Sequence, residues 1–511
     1  MAEVLFWSGV LRFGQSLLAA APTIVIGLIV AGVFRRLLGH DNISRLFGGS
    51  TWRSLPQAWA VGMLLPVCSL GVIPVARQMR GAGLTGGTIL AFALTAPLFN
   101  PLSLLYGLTL SEPLVIFAFA LCSLLIVTIL GFAWDRLFPG TACAEPVPPR
   151  TAPGLKRLLS IVVTGAREAA GPAMLFMLIG LGGVTLLGLV LPPGSMQHSF
   201  NGGNSWAPLT MTGISVPVYA TPMLAMSQLG LMFQHANSVG AAFVLLSLGT
   251  GLNLGLLFWM TRQYGFRRTG TWLAVLIAVV LGLAYAVDRP LHPTEIDAAD
   301  HTHAFDIYCR PFHAGAAGMA ASVRKKLVDD SPVHEQYALA ALTVFVLAGG
   351  ILAAVDPRRR LEAWLETPGE QAISRYDRVV PAPVVGGVAL IGLVAASVVG
   401  CYTWYPPPAE VLDEMQIARA EALSAAISGD VNHAMYWLPV LNDWTRRLQV
   451  GVYLRQGNLS RYHRHKASVF RFRLELLEHE LEDGTREEVT AATAAAANAY
   501  RRLQFAYTEE L

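Results

Sequence analysis

The sequence predicts an all-α, polytopic membrane protein, and three observations carry that reading. Across 511 residues, 54% of the side chains are hydrophobic and 14% are charged, whereas a soluble domain carries roughly 25% charged residues. Apolar runs near the roughly 20 residues needed to cross a bilayer occur ten times, at about 14–34, 57–76, 84–110, 113–134, 169–191, 207–232, 236–260, 270–287, 336–355 and 381–402. Arginine and lysine gather in the short stretches between these runs, and the net charge is only +3. That pattern suits a chain sorted by a membrane and leaves no broad basic face for nucleic acid.

The first run ends in Arg35-Arg36 with no small-residue cleavage pattern, so it reads as a retained span. Short cytoplasmic loops are enriched in lysine and arginine. Arg35, Arg36, Arg45 and Arg53, then Arg136, Arg150, Lys156 and Arg157, then Arg262, Arg267 and Arg268, and finally Arg358 to Arg360 therefore mark the inside. Three apolar runs between the first two clusters cannot return the chain to one side. A re-entrant hairpin over about 57–80, with Arg77 and Arg80 at its exit, restores the parity. The uncharged loop Pro192 to Trp206 is placed outside, so 207–233 becomes a second hairpin entering from there. Each half then reads span, hairpin, span, span, in opposite orientation, which is the layout of an inverted-repeat transporter core.

The expected organisation is a first repeat over 1–134, a cytoplasmic linker over 135–168 and a second repeat over 169–287. An extracytoplasmic His/Cys loop follows at 288–335, then two further transmembrane helices within 336–402 and a small soluble helical bundle at 406–511. In that tail Ile417–Ala426, Trp444–Leu454 and Phe470–Leu481 repeat apolar residues at helical spacing. Its run Arg461 to Lys466 and the pair Arg446-Arg447 read as a solvated face, with lipid-headgroup or partner contact as the alternative. Crossing parity puts the tail outside the cytoplasm, and the localisation is a bacterial inner membrane, multi-pass.

Proline in an apolar run removes a backbone donor and frees carbonyls, and irregular backbone at membrane depth survives only beside protein or a water-filled cavity. The hairpins therefore line the pathway. Pro66, Cys68, Ser69, Gly71, Pro74, Pro97 and Asn100 in the first half, and Pro217, Tyr219, Thr221, Pro222 and Asn253 in the second, are its expected residues. The halves share proline, a small polar residue, proline, phenylalanine (Phe92, Phe243) and asparagine in one order. Asn100 and Asn253 either brace broken backbone or contact solute. Cys68 is either a small buried hydrophobe or a solute contact.

Cys68-Ser69-x-Gly71-Val72-Ile73-Pro74-Val75-Ala76, then Gly83, Ala91-Phe92, Pro97 and Asn100-Pro101, resemble the first-half motif of the predicted-permease family that includes bacterial organoarsenical efflux permeases of the ArsP type. Pro217-x-Tyr219, Thr221-Pro222, Ser238-x-Gly240-Ala241-Ala242-Phe243 and Asn253 follow its second-half order, and the likeness spans roughly residues 10 to 290. The resemblance implies a permease. The family commonly has a second cysteine where this chain has Leu70, and another where it has Ala220. A paired-thiolate clamp for a soft centre is thus incomplete.

No Asp, Glu, Lys or Arg occurs from Trp206 to Thr261, which disfavours a central divalent-cation site and favours a neutral or anionic solute. Glu112, Asp135, Arg167 and Glu168 fall at span ends and are expected to be solvated or snorkelling. His301, His303, Asp306, Cys309 and His313 crowd one loop with ligand types that zinc or copper prefer. No cofactor is required, and that loop carries the one metal expectation.

The leading expectation is a secondary permease exporting a small neutral or anionic solute, an arsenical or similar thiophilic compound included. A metal-handling membrane protein and a non-transporting scaffold are the alternatives. No Walker motif or catalytic constellation marks an enzyme. The expected partners are the lipid bilayer and a small-molecule solute; the oligomeric state stays open.

Overall fold

The computed structural model describes residues 1–49, 51, 53–110, 113–140, 155–292, 303–316, 318–366 and 382–509. The chain opens with α1 (Ala2–Leu46), then α2 (Ser54–Leu64), α3 (Val72–Gly81), α4 (Gly86–Thr95), α5 (Pro101–Leu110), α6 (Pro113–Leu137) and α7 (Leu155–Ala169). It continues with α8 (Pro172–Val190), α9 (Ala207–Ser215), α10 (Pro222–Gln234), α11 (Val239–Thr250), α12 (Leu254–Tyr264) and α13 (Phe266–Asp288). The remaining long helices are α14 (Val333–Val355), α15 (Ala382–Trp404), α16 (Pro408–Ser428), α17 (Val431–Gln456), α18 (Arg461–Asp483) and α19 (Arg486–Glu509). Among the described residues there is no strand beyond one isolated bridge, Asn201 to Asn237.

Among the described residues five helices, α1, α6, α8, α13 and α14, are long and apolar enough to cross a membrane, and α11 with α12 forms a sixth candidate bent by 56°. The chain divides into two compact units, 1–103 with 114–394, and 104–113 with 395–511.

In the first unit the hairpin readings and the span readings fare differently. Ser54 at the start of α2 accepts a hydrogen bond from the Thr88 hydroxyl at the start of α4, 2.8 Å. A Cβ on Gly62, near the end of α2, would stand 2.6 Å from Thr95 Oγ1 at the end of α4. The two helices therefore run parallel. Because α3 ends a short turn before α4 begins, α2 and α3 enter and leave at one end. The same logic holds for α9 and α10: a Cβ on Gly240 would meet Pro208, and one on Gly249 would meet Ser215 and Val218, so α9 parallels α11. The first turn-back opens beside Glu168, just before α8 begins; the second opens beside the loop that follows the other end of α8, where Ser238 N donates to Phe200 O at 2.9 Å.

The runs 84–110 and 236–260, expected as single spans, are each broken. Residues 96–100 separate α4 from α5, and 251–253 separate α11 from α12. Asn100 Oδ1 accepts from Ser103 N at 2.7 Å, and Asn253 Oδ1 accepts from Leu256 N at 2.8 Å. A helix restarting in an apolar interior exposes orphan N–H groups, and an asparagine N-cap satisfies one of them. The Oδ1 atom of each asparagine therefore braces a restarted helix.

The 135–168 stretch also departs from a plain linker. Its described part contains α7, whose Gly165 faces Phe345 of α14 at 2.9 Å from a built Cβ. Asp135, Arg167 and Glu168 are not solvated span ends, because each has a packed partner. Asp135 caps α4 by accepting from Thr85 Oγ1 at 2.8 Å and Gly87 N at 2.9 Å. Asp288 caps α11 in the same way, accepting from Ser238 Oγ at 2.8 Å and Gly240 N at 2.7 Å. The sequence separations, 50 and 48 residues, are identical in the two caps. Arg167 pairs with Asp356 (3.3 Å) and Glu362 (3.2 Å). Glu112 lies outside the described residues.

In the second unit α16 to α19 share one buried apolar cluster, including Met415, Leu438, Phe470, Leu477, Tyr500 and Leu503. Three of these helices contain the tail segments singled out by spacing; α19 is alanine-rich and was not among them.

Replacing Asp135 or Asp288 with alanine removes both bonds of its cap, so each variant is expected to lose about 1–2 kcal/mol of stability. Thermal unfolding of the detergent-purified protein checks this, and equal losses in the two variants are the specific expectation.

Candidate solute pathway

Two chain breaks organise the interior of the first unit. In the first, Leu65–Gly71, the Cys68 thiol is fully buried and accepts from Gly71 N at 3.3 Å. Only glycine fits at Gly71, because a Cβ there would stand 2.5 Å from Thr23 O of α1. In the second break, Val216–Thr221, Thr221 Oγ1 caps α10 by accepting from Leu224 N at 3.2 Å. Here α8 takes the place that α1 takes beside the first: a Cβ on Gly183 would lie 2.7 Å from Pro217 O.

The breaks converge. A Cβ on Gly180 of α8 would touch Leu70 Cδ2 at 2.5 Å and Asn253 Oδ1 at 2.8 Å, so one position of α8 separates the first half's break from the second half's restarted helix. The Tyr219 side chain lies against Cys68 and Thr23. Ser69 Oγ, Ser215 Oγ, Tyr219 Oη, Ser247 Oγ and Asn253 Nδ2 are buried with no hydrogen-bond partner of normal geometry. Each such orphan costs about 1–3 kcal/mol. Buried orphans also occur away from the breaks, as at Asn237, Trp259 and Trp272; those beside the breaks are the ones a passing polar molecule would relieve.

Pro66 and Pro217 sit in the breaks, and Pro74 and Pro222 lie in the first turns of α3 and α10. Pro97 occupies the 96–100 break. Asn100 is tied to Ser103 in both directions, with Asn100 N donating to Ser103 Oγ at 3.0 Å.

One end of this region is shut by the 303–312 segment. A cavity of about 30 Å³, room for one or two waters, is lined by Arg12, Ser16, Tyr219 and Thr221 and closed by Ile307 and Tyr308. Arg12 Nε donates to Cys309 O at 2.9 Å, and Nη2 donates to Asp306 O at 2.6 Å. Tyr308 Oη donates to Gln228 Oε1 at 3.1 Å, while Gln228 Nε2 donates to Ala304 O at 2.9 Å. At the other end Arg77 Nη1 meets Glu168 Oε2 at 2.6 Å, Gln78 donates to Glu168 Oε1 at 3.0 Å, and Arg80 bonds Gln263.

The described part of the His/Cys loop packs against α1 and α10. His303 Nδ1 and Asp306 Oδ2 approach to 2.7 Å, the Cys309 thiol faces Ser195 Oγ at 3.8 Å, and His313 is exposed. Among the described residues no three His, Cys, Asp or Glu side chains group as metal ligands. His301 lies outside those residues. Arg12, Gln228, Tyr308 and Glu168 were not singled out by sequence reasoning as pathway residues. An arginine among the apolar residues at the start of α1 was the available signal.

The arrangement is that of a multi-pass helical membrane protein with an uncharged polar interior between polar closures. Residues 8–288 match the profile of the family described as "Predicted permease", and the chain belongs to that family. It is similar to the UPF0718 protein YcgR of Bacillus subtilis, 32% identical over 92 residues that make up 18% of this chain and 31% of that protein. No solved structure matches.

If the 303–312 segment is held shut chiefly by Arg12, then Arg12→Ala exposes Thr221. In a cysteine-free background carrying Thr221→Cys, a water-soluble thiol reagent is expected to react about tenfold faster or more once these bonds are lost. An unchanged labelling rate would assign the closure to packing alone.

Proposed function

We propose that the chain is a secondary permease of the bacterial inner membrane, built from two inversely oriented repeats, that exports a small neutral or anionic solute through the interior where the breaks converge. The observation that carries this reading is the set of five partnerless polar atoms, on Ser69, Ser215, Tyr219, Ser247 and Asn253. They come from both halves, and neither break contains a charged side chain. An uncharged hydrogen-bonding surface suits a solute that arrives neutral or brings its own negative charge to helix ends.

Two further features support the repeats. The caps Thr85–Gly87–Asp135 and Ser238–Gly240–Asp288 use one geometry at one spacing, and the two turn-backs open at opposite ends of α8. The repeats occupy 1–134 and 169–287, with α14, α15 and the C-terminal helices as additions. By the arginine distribution, the end bearing Arg77 and Arg80 faces the cytoplasm. The 303–312 segment then faces outward and must yield for release, and the tail is extracytoplasmic.

Cys68 makes organoarsenicals and similar thiophilic compounds the first candidates to test. The screen compares cells lacking and overproducing the protein for sensitivity to arsenicals, metal ions and small anions. The solute that emerges is then followed in vesicles.

The orphan hydroxyls allow an unusually clean test. Ser69→Ala deletes a hydroxyl that bonds nothing in the protein, so this variant should be at least as stable as the parent, while Tyr219→Phe removes a hydroxyl set against Cys68 and Thr23. Transport is nevertheless expected to slow about five- to tenfold for each lost solute bond. Wild-type transport by both correctly inserted variants would remove these residues from the pathway.

A further inference from the structure

The second compact unit holds a charge that its own fold does not balance. Arg471 of α18 is 7% exposed, and its Nε and Nη1 have no hydrogen-bond partner. Arg446 of α17, 4% exposed, acts on it as a like charge. The opposing influences are the Tyr106 and Tyr507 phenols and Glu475, one turn along α18. Burial, assisted by Arg446, lowers the Arg471 guanidinium to about 10, so it remains a cation at neutral pH. A buried guanidinium with two unbonded nitrogens is strongly unfavourable unless an anion reaches it.

Neighbouring groups describe the missing partner. Arg446 Nη1 donates to Tyr106 Oη at 2.9 Å, which leaves the phenolic proton of Tyr106 available to donate elsewhere. Gln449 Oε1, one turn along α17 from Arg446, is a buried acceptor without a donor. Guanidinium forks and a phenol suit the oxygens of a tetrahedral oxyanion. A hydroxyl or ammonium carried by the same molecule suits Gln449.

We propose that Arg471, with Arg446 and Tyr106, forms a binding site for a phosphate group within the C-terminal helices. The group belongs either to inorganic phosphate or to a phospholipid headgroup. The same unit places Arg447 over Trp404 and Trp444, each at 4.8 Å, and Arg455 over Tyr402 at 5.3 Å, at the end of the apolar helix α15. Aromatic residues at the end of an apolar helix mark the depth of lipid headgroups.

The test uses the full-length protein purified in phosphate-free detergent. Thermal unfolding is recorded in chloride, in inorganic phosphate at equal ionic strength, and with short-chain phosphatidylglycerol. Phosphate or the lipid is expected to raise the wild-type Tm by about 3 °C or more. A rise with inorganic phosphate identifies the free anion, and a rise with lipid alone identifies the headgroup.

Arg471→Met should abolish the rise, and in chloride it should melt no lower than wild type because it removes a buried charge whose Nε and Nη1 bond nothing. Arg502→Met, in the open basic cleft formed with Tyr462, Lys466 and Arg501, should leave the rise intact. Should Arg471→Met fail to fold, Arg471→Lys is compared with wild type for equilibrium binding of whichever probe raised the Tm, with at least tenfold weaker binding expected. The site is overturned by a wild-type Tm that ignores both probes, by a rise that survives Arg471→Met or disappears in Arg502→Met, or by equal binding to the lysine variant.

Discussion

The rest of this structure depends on one constraint: a backbone N–H or C=O in an apolar interior must find a partner inside the protein. A continuous helix meets it automatically. Here α2–α3, α4–α5, α9–α10 and α11–α12 are interrupted, and every restart needs its own cap. Thr221, Asn253, Thr85 and Ser238 accept from the N–H three residues ahead, and Asn100 does the same just before α5. Even the Cys68 thiol is used in this way, toward Gly71 N. The polar residues of the core are thus largely consumed by holding the breaks open. The atoms left over, such as Tyr219 Oη and Asn253 Nδ2, stand out because so many of their neighbours are spent.

Charge follows the same economy. Carboxylates and guanidiniums gather toward the two ends, where they cap or pair: Asp135 and Asp288 on helix starts, Glu168 on Arg77, Glu362 on Arg167. The middle keeps hydroxyls, amides and one thiol. A buried ion without its partner would cost several kcal/mol, whereas an orphan hydroxyl costs about 1–3 kcal/mol. A site that must be empty for part of its working life is better built from hydroxyls. The same reasoning makes Arg471 conspicuous, since there the expensive kind of orphan is present.

The sequence made some of this legible through proline. Pro66, Pro74, Pro217 and Pro222 bracket the two breaks read as hairpins, and arginine parity required a turn at each place. The 251–253 break has no proline, only Gly251, Leu252 and Asn253, and hydropathy stays high across it. Length and composition therefore favoured an intact span, although an asparagine in an apolar run is itself a capping signal. Asp135 was misjudged for a different reason, and Asp288 was not singled out. A carboxylate at a span end looks solvated until its partner is known, and those partners lie 48 and 50 residues away. The pairing of Leu70 with Asn253 across Gly180 could not be read at all, because it depends on how α8 threads between the halves.

The two closures differ in kind, and the difference bears on how they would open. At the Arg77 end the bonds are side chain to side chain, with an ion pair at 2.6 Å at the centre. At the other end Arg12 grips main-chain carbonyls of Asp306 and Cys309, and Gln228 holds Ala304 O and Tyr308 together. Bonds between side chains exchange through rotamer changes while the helices stay intact. Bonds to the carbonyls of an irregular segment release only when that segment moves as a piece. Under the proposed transport function, opening the first end would exchange the side-chain partners between α3 and the start of α8, and opening the second would lift 303–312 away from α1 and α10. A transporter cycling between these ends would use two unlike motions, even though the breaks between them are built to one plan.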